Sequence, residues 1–528
     1  MKKSKLVTGS LSTIFAISLM MGLCGCGSTG GQQEKLSSKV RGIMNSPEFK
    51  HTSWTIKVVD LKTGEVLQQA SPNMMLDPAS TTKLFTVATA LDVFGPDYRF
   101  TTPVYEQGAL SPGGQLNGNL ILVASGDLAM GGRVTEGGKI EYTDMDHADA
   151  NALGNATLTK TDPLAGLDDL ARQVAASGVK TVNGNVIIDA RLFPTGRPEG
   201  DQQASILSPI VINDNLLDIT VTPTSPGSPA EIAWRPQTSL YTVTSTVTTV
   251  DKGGETDLAV SSPSPGSILI EGSIEAGGGD VVQTYEVEDP ESFARTLFIE
   301  ALGRAGVAVE APALGANPAG DLPPEGDYTS MTQAALLESP PFSEYAKLIL
   351  KVSLNYGANS LLPLMAVHEG KKTFEDGLQI EHSFLEKAGV SLDGLIINDG
   401  EGGAGKDYIC AECVVQLLRY MSTSKDFKAF EDALPIMGVD GSLAQLLGDK
   451  SPIKGKVRAK TGTHGTGDLL NDRIALTARA LGGYMTASSG RELAFDVSAN
   501  MIIPEGNVDM AALLNKHASI LEAIYEEY

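Results

Sequence analysis

Residues 78–85 read Pro-Ala-Ser-Thr-Thr-Lys-Leu-Phe, and the interpretation of the whole chain depends on them. The serine of this stretch is Ser80, and Lys83 follows three positions later, before an apolar pattern with helical spacing. On a helix, positions three apart share one face, so the two side chains can touch. A lysine kept neutral by burial or by a second cation can take a serine proton. The stretch predicts a nucleophile at a helix N-terminus, although alone it also fits a capping serine and a surface lysine.

The composition is that of a soluble globular chain with an acidic surface. Its 528 residues predict two or three domains, and 42% hydrophobic with 20% charged residues are ordinary proportions. The formal net charge is -24 and basic residues do not cluster, which argues against a nucleic-acid partner and against attraction of the body to an anionic membrane. We predict neither a cofactor nor a metal.

The N-terminus has the pattern of a targeting segment. Lysines precede a mostly apolar run, which ends in Leu-Cys-Gly-Cys at residues 23–26. This resembles a bacterial lipoprotein signal, in which a cysteine after a small residue is lipidated. We expect residues 1–25 to be the signal peptide, Cys26 to carry the lipid anchor, and residues 26–50 to form a tether and the start of the body. An uncleaved transmembrane anchor is the alternative; in both cases the body is extracytoplasmic.

A change of character near residue 98 predicts that the first domain is interrupted. A hairpin over residues 55–67 leads into the Ser80 helix, which Gly95 and Pro96 end. We expect an α/β (α+β) fold, with an antiparallel sheet and flanking helices, split by a large insertion. The predicted parts are residues 51–97, the insertion at 98–324 with a nested β-rich module at about 221–284, and residues 325–528.

Periodicity also places the main elements of these parts. Helices are expected over residues 163–177, 290–305, 341–352, 358–368, 374–388 and 509–525. The segment 455–503 predicts two or three strands with turns at residues 463–467 and 488–490.

Two further clusters have competing interpretations. Residues 141–149 form an acidic stretch that could bind a hard cation but lacks the glycine and distal glutamate of a calcium loop, so a solvated loop is favoured. Cys410 and Cys413 form a C-x-x-C pair in a helical-looking stretch at 408–420, without other metal ligands nearby. Two inert small residues, an intra-helix disulfide, and a metal or redox role all stay open.

Two more motifs follow the insertion in a definite order. Ser353 and Asn355 flank Leu354 on an expected turn, and Lys-Thr-Gly-Thr at 460–463 reads as an edge strand ending at a glycine. The order S-x-x-K, S-x-N, K-T-G resembles that of the serine penicillin-recognising enzymes. The large insertion after the first motif resembles one branch, the D-alanyl-D-alanine carboxypeptidase/endopeptidase family of class C low-molecular-mass penicillin-binding proteins (peptidase family S13). The resemblance extends from about residue 54 to the C-terminus, including stretches at 97–102, 116–127, 182–189 and 434–443.

This resemblance implies a serine β-lactamase/transpeptidase-like domain and a role for each motif residue. Ser80 would attack the carbonyl of the penultimate D-alanine, Lys83 would take its proton with a pKa lowered by the charge of Lys460, and Ser353 would relay the proton to the leaving amine. Asn355 would donate to a substrate amide. Lys460 with the hydroxyls of Thr461 and Thr463 would hold the terminal carboxylate. Gly462 would let the strand approach the substrate, and the N–H groups of Ser80 and Thr463 would form the oxyanion hole.

Three positions qualify the resemblance. Asp189 matches an aspartate that the family uses near the amino-bearing peptide side chain, or is an ordinary strand-ending aspartate. Leu354 replaces a usually polar residue, which is expected to change contacts at the mouth of the cleft. The family's D-G-S-G-L-S-R stretch is Asp-Gly-Glu-Gly-Gly-Ala-Gly-Lys at 399–406, which puts recognition of the stem-peptide side chain in question.

The sequence therefore predicts a membrane-tethered serine D-Ala-D-Ala carboxypeptidase that trims peptidoglycan stem peptides and is inhibited by β-lactam antibiotics. Endopeptidase action on cross-links would use the same chemistry. The alternatives are a β-lactamase-like hydrolase, which the size of the insertion disfavours, and a non-catalytic wall-binding lipoprotein. A binding module has no need of the complete set Ser80, Lys83, Ser353, Asn355 and Lys460.

Overall fold

Three large buried hydrophobic clusters organise the fold: one among the helices, one within the inserted region, and one between the central sheet and the first and last helices. The structure is a computed structural model that describes residues 34–199, 202–504 and 509–528. The predicted signal peptide and Cys26 lie outside these residues. No helix in the described part of the chain is long and apolar enough to cross a membrane.

The elements alternate between helical and extended blocks along the chain. The strands are β1 Ser53–Asp60, β2 Val66–Ala70, β3 Met75–Leu76, β4 Thr101–Leu110, β5 Gln115–Val123, β6 Thr181–Val182, β7 Val186–Asp189, β8 Leu216–Thr222, β9 Glu231–Arg235, β10 Thr242–Ser245, β11 Thr248–Val250, β12 Asp257–Ser264, β13 Ser267–Glu275, β14 Val281–Glu286, β15 Ala308–Val309, β16 Thr332–Glu338, β17 Leu395–Ile396, β18 Tyr408–Cys410, β19 Val457–Asp468, β20 Arg473–Thr486 and β21 Glu492–Ile502. The α-helices are α1 Ser38–Met44, α2 Lys83–Phe94, α3 Ala150–Leu153, α4 Ala165–Ala176, α5 Pro290–Arg304, α6 Phe342–Lys351, α7 Asn355–His368, α8 Phe374–Lys387, α9 Ala411–Met421, α10 Phe427–Ala433 and α11 Met510–Glu527.

The central sheet joins the two ends of the chain. Its order is β19-β20-β21-β1-β2, and all pairs are antiparallel. Helices α1 and α11 cover one face through a shared apolar cluster, while α2, α6 and α7 belong to the cluster on the other side. The predicted α/β (α+β) architecture with an antiparallel sheet and flanking helices is confirmed, and β19 is an edge strand as expected.

The inserted region builds its own mixed sheet in the order β15-β6-β5-β4-β16, and β7 pairs in parallel with β5. Two smaller sheets, β14-β8-β9 and one containing β10 to β13, form the β-rich part between residues 216 and 286. Strand β16 pairs with β4, so chain beyond residue 324 still belongs to the sheet of the insertion. The domain boundaries themselves stay predictions.

Three sequence-based expectations about secondary structure and burial are wrong. Strand β19 continues to Asp468, so it does not end at a glycine and its hairpin turn lies at 469–472 rather than 463–467. The stretch 408–420 begins as a strand, and Cys410 precedes the first residue of α9. Both thiols are free and buried, with their Sγ atoms 3.0 Å apart. The third wrong expectation is the solvated acidic loop, because Asp146 and His147 are buried.

A buried ion cluster explains the burial of the acidic stretch. The Arg133 guanidinium donates to Asp146 and to Asp214, at 2.7 Å each, and also contacts the His147 ring. The other ring nitrogen of His147 lies 2.6 Å from Asp218. Burial opposes a charged imidazole, but the two partner carboxylates Asp218 and Asp214 raise the pKa of His147 to about 10. Tertiary pairing with Asp214 and Asp218, just before and within strand β8, thus replaces solvation, and Arg133 and the His147 imidazole supply positive charge between the acids.

Candidate active site

The nucleophile lies in a strained turn that tertiary contacts hold in place. Ser80 belongs to a 3-10 turn, Ala79–Thr82, and the α-helix begins directly after it at Lys83. Ala79 has a φ of 45°, which is unfavourable for a residue with a Cβ and typical of functional sites held by their surroundings. The Asp77 carboxylate accepts from the Ala79 N–H, and the His464 ring bonds Asp77 from β19. The turn therefore presents Ser80, partly exposed, to the cleft.

Lys83 is fully buried and meets three acceptors. Its Nζ lies 2.9 Å from Ser80 Oγ, 2.6 Å from Asn355 Oδ1 and 2.7 Å from the Glu401 carbonyl oxygen. Burial lowers the pKa of Lys83 to about 8, while nearby carboxylates, first Glu401 and then Asp149, partly raise it. The predicted direction is right, but burial rather than the charge of Lys460 is the main cause.

Lys460 and Ser353 form the second half of the cleft. Lys460 Nζ donates to Ser353 Oγ at 2.8 Å and to the Thr461 carbonyl at 2.8 Å. Burial lowers the pKa of Lys460 well below its usual range, and the charges of Lys83 and Arg479 lower it further. Ser353 has a φ of 65°, a strained position between α6 and α7 that turns its hydroxyl toward the strand.

The edge strand approaches the nucleophile turn closely at Gly462. A Cβ on this residue would lie 2.2 Å from the Pro78 carbonyl oxygen, so only glycine fits there. Thr461 Oγ1 lies 2.9 Å from Ser442 Oγ, in the loop after α10, and Thr463 is exposed at the edge. The close approach lines up the four residues 460–463 beside Ser80.

Asn355 is the first residue of α7 and is exposed. Its Oδ1 accepts from Lys83, which leaves the amide nitrogen available to donate. Leu354, by contrast, is 1% exposed and packs in the helical core, so the expected change at the mouth of the cleft is wrong.

Asp189 is already paired in this structure. Arg191 donates to both of its carboxylate oxygens at 2.8 Å, and the Tyr328 hydroxyl also bonds to it. Burial raises the pKa of Asp189, but hydrogen bonds from Arg191 and Tyr328 outweigh this and lower it below its usual range. Contact with a substrate ammonium would have to compete with this pair, and the role of Asp189 stays a prediction.

Two groups near the catalytic lysines were missed from the sequence. Asp399 accepts from the N–H groups of residues 401–403 through Oδ1, which shapes the loop whose Glu401 carbonyl meets Lys83. Asp149, half-buried in the acidic stretch, interacts electrostatically with both Lys83 and Lys460. The altered spacing of 399–406 was visible in the sequence. Nothing near Asp149 in the sequence predicted its proximity to Lys83 and Lys460, because both lysines lie more than sixty residues away along the chain.

The fold and the convergence of three motifs define a serine hydrolase of the penicillin-binding class. A family model, "D-Ala-D-Ala carboxypeptidase 3 (S13) family", matches residues 36–521, and the chain belongs to this family. The chain is 28% identical over 494 residues to a D-alanyl-D-alanine carboxypeptidase from Actinomadura sp. (strain R39). The aligned region covers 89% of this chain and 82% of the relative.

Solved structures show the same fold. The chain is similar to penicillin-binding protein 4 (dacB) from Haemophilus influenzae, with a TM-score of 0.68 and 19% identity over 92% of this chain and 99% of that one. A structure of the same protein complexed with a β-lactam gives a TM-score of 0.65 at 20% identity, with the same coverage of both chains.

Proposed function

We propose that the protein hydrolyses the terminal D-Ala-D-Ala bond of peptidoglycan stem peptides through an acyl-enzyme on Ser80. The observation that carries this is the set of hydrogen bonds that joins the three motifs: Lys83 Nζ bonds Ser80 Oγ at 2.9 Å and Asn355 Oδ1 at 2.6 Å, and Lys460 Nζ bonds Ser353 Oγ at 2.8 Å. Serine carboxypeptidase activity is the established activity of the family to which the chain belongs. Three distant segments thus combine a nucleophile, a base and an anion-binding edge.

The first half of the reaction uses the Ser80 and Lys83 pair. With its pKa lowered to about 8 by burial, Lys83 is partly neutral near neutral pH and can accept the Ser80 proton. Ser80 Oγ then attacks the penultimate carbonyl carbon, and a tetrahedral oxyanion forms. The N–H groups of Ser80 and Thr463 are proposed to bind this oxyanion, which the close approach of Gly462 to residue 78 supports.

Collapse of the intermediate needs a proton on the leaving amine. Ser353 is proposed to relay it, since its hydroxyl contacts Lys460 and faces the cleft beside Asn355. The amine departs as D-alanine, and the Ser80 ester is then hydrolysed by water to regenerate the enzyme. Asn355 donates to a substrate amide, while Lys460, Thr461 and Thr463 hold the terminal carboxylate.

β-Lactams are proposed inhibitors because they acylate the same serine. The relative from Haemophilus influenzae has been solved complexed with a β-lactam, which supports this ligand class. Cleavage of cross-links is a second activity of the same site. A β-lactamase-like role would differ in rapid hydrolysis of the penicilloyl ester.

We also propose that the protein is an exported lipoprotein anchored through Cys26. The lysine-rich start, the apolar run and the Leu-Cys-Gly-Cys junction support this location, which suits a cell-wall substrate. A Cys26→Ala variant is expected to leave the membrane fraction, while a Cys24→Ala variant stays there; equal partitioning of both would contradict the anchor.

Incubation with a fluorescent penicillin tests the catalytic proposal. The wild type is expected to retain a covalent label that survives denaturing electrophoresis, and Ser80→Ala should retain none. A Ser71→Ala variant, altered in the nearby turn, serves as the matched control and should label normally. Equal labelling of wild type and Ser80→Ala would show that another residue is the nucleophile.

A further inference from the structure

The two cysteines of the body meet where a strand ends and a helix begins. Cys410 is the last residue of β18, and Cys413 lies in the first turn of α9. Their Sγ atoms are 3.0 Å apart, and both thiols are free. Cys410 has an extended backbone, with a φ of -95° and a ψ of 151°, so its side chain is not held at the Cβ spacing of about 5–6 Å between helical positions three apart. The pair can therefore close to the Cβ spacing of a disulfide, about 3.5–4.5 Å.

The surroundings of the two sulfurs favour a bond between them over a bound metal. A Cβ at Gly394 would lie 2.6 Å from Cys413 Sγ and 2.7 Å from Cys410 Sγ, so a backbone without a side chain closes over both. Both cysteines are buried. In the part of the chain that the structure describes, the two thiols belong to no group of three or more metal-ligating side chains. A zinc ion would need two further ligands, whereas a disulfide needs none.

The environment of Cys410 favours its thiolate, which is the form that attacks a disulfide. Cys410 occupies the N-cap position of α9, where the helix dipole stabilises negative charge. A hydrogen bond from the Cys413 thiol lowers the pKa of Cys410 below its usual range; burial opposes this, and the N–H groups of Cys413 and Glu412 lower the pKa further. The same contact, then burial, raises the pKa of Cys413. Cys410 is thus the attacking sulfur, and Cys413 is the resolving one.

We propose that Cys410 and Cys413 are a thiol–disulfide pair and that the exported protein carries them as a disulfide. The oxidant is a disulfide, of a small molecule or of a protein, in the oxidising space outside the cytoplasm. The Cys410 thiolate attacks one sulfur of this oxidant and expels a thiolate, which takes up the proton that Cys410 lost. Cys413 then loses its proton and attacks Cys410, and the second thiolate of the oxidant leaves and is protonated. Two electrons and two protons pass to the oxidant, whose disulfide becomes two thiols.

The exchange takes place while the junction between β18 and α9 is still forming, because both sulfurs are buried in the folded protein. The inference rests on the proposed export and not on the proposed catalysis.

The bond braces the strand that leads to the nucleophile turn. Cys410 pairs with Met75 in the ladder between β18 and β3, and β3 ends directly before Asp77. The Asp77 carboxylate accepts from the N–H of Ala79, the residue before Ser80. A covalent link at the end of β18 therefore restricts local opening next to this turn.

Mass spectrometry of the full chain, isolated with the cell envelope, tests the bond directly. The protein is denatured in N-ethylmaleimide, with and without prior reduction, and then digested. The peptide that contains residues 410–413 should carry no maleimide without reduction and two after it. Cys413→Ser is the control, because its peptide should carry one maleimide after reduction, which assigns both adducts of the wild type to this pair.

Thermal unfolding tests what the bond does. A reductant should lower the Tm of the wild type by about 1–4 °C, as expected when a short disulfide loop opens in a large protein. The double variant Cys410→Ser/Cys413→Ser should have the same Tm with and without reductant. The difference that the reductant makes is the readout, because the double variant also changes packing at a buried site.

The outcomes are distinguishable. Two maleimides on the unreduced wild-type peptide would overturn the inference, as would a Tm that the reductant shifts equally in the wild type and the double variant. If the protein is absent from the envelope, the proposed export fails, and wild type refolded in a glutathione redox buffer decides the inference: free thiols there overturn it. Absence of fluorescent-penicillin labelling in every sample would refute the proposed catalysis and leave the disulfide measurement unaffected.

Discussion

The reactivity of Ser80 should rise with pH as Lys83 loses its proton. Burial lowers the pKa of Lys83 to about 8, and only the neutral amine can act as a base. At pH 7 roughly a tenth of the molecules then carry neutral Lys83. The rate of acylation should therefore increase about tenfold between pH 7 and an alkaline plateau.

Asp149→Asn perturbs this profile in a defined direction. The Asp149 carboxylate is one of the charges that raise the pKa of Lys83, together with Glu401, Asp399 and Asp407. Removing it lowers that pKa, so the midpoint should move to lower pH and acylation at neutral pH should accelerate. Lys460 faces the same carboxylate and should also become easier to deprotonate.

The assay is the second-order acylation rate with a fluorescent penicillin, followed by stopped flow across about pH 6 to 10. Glu136→Gln is the control, because it removes an exposed acid from the same segment with the same change in net charge. A flat profile in the wild type would refute Lys83 as the base. A midpoint that rises in Asp149→Asn, or that shifts equally in Glu136→Gln, would refute the electrostatic reasoning.

Three further changes have expected outcomes. Gly462→Ala should abolish most penicillin acylation and lower the Tm, because its Cβ would lie 2.2 Å from the Pro78 carbonyl oxygen and displace the edge strand. Arg133→Met should destabilise the fold by about 3–5 kcal/mol in urea denaturation, because it leaves the buried carboxylates of Asp146 and Asp214 without the guanidinium that pairs with them. Glu381→Gln should flatten the dependence of Tm on pH. Burial, then the charge of Asp407, raises the pKa of Glu381 from 4.5 to about 8, so its stabilisation is complete below pH 4.5 and is lost as the pH rises through 8.

Each of these expectations has an opposite that would contradict it. Normal labelling of Gly462→Ala would mean that the strand can move away without cost to the site. Arg172 pairs with Asp169 at the surface, so Arg172→Met is the control for Arg133→Met. Equal stability of the two variants would mean that the buried cluster does not stabilise the fold. If the Tm of Glu381→Gln falls with pH as steeply as that of the wild type, a group other than Glu381 causes the pH dependence.

Much of the catalytic half could be predicted from local patterns. The spacing of Ser80 and Lys83, the Ser-Leu-Asn turn and the Lys-Thr-Gly-Thr strand are short-range signals, and the fold brings all three together. The strands β1 and β2 and the helix after Ser80 were predicted from the hydrophobic periodicity and the turn residues of that stretch. Where pattern and packing agree, as on α8 and α11, element bounds were predicted to within a few residues.

The errors arose where long-range partners override local composition. The acidic stretch around His147 looks soluble, yet Arg133, Asp214 and Asp218 from other segments bury it. Glycines after Lys460 suggested a turn, but pairing with β20 extends the strand to Asp468.

The sequence by itself determined the three motifs, their order and the insertion between them, because each depends on residues only a few positions apart. Only the tertiary structure decided which charges act on them. Burial lowers the pKa of Lys83, Arg479 bonds Thr463 across the ladder, and Asp149 reaches both lysines from the insertion. Electrostatic interactions depend on distance in space and on exclusion of water, and neither can be read from spacing along the chain.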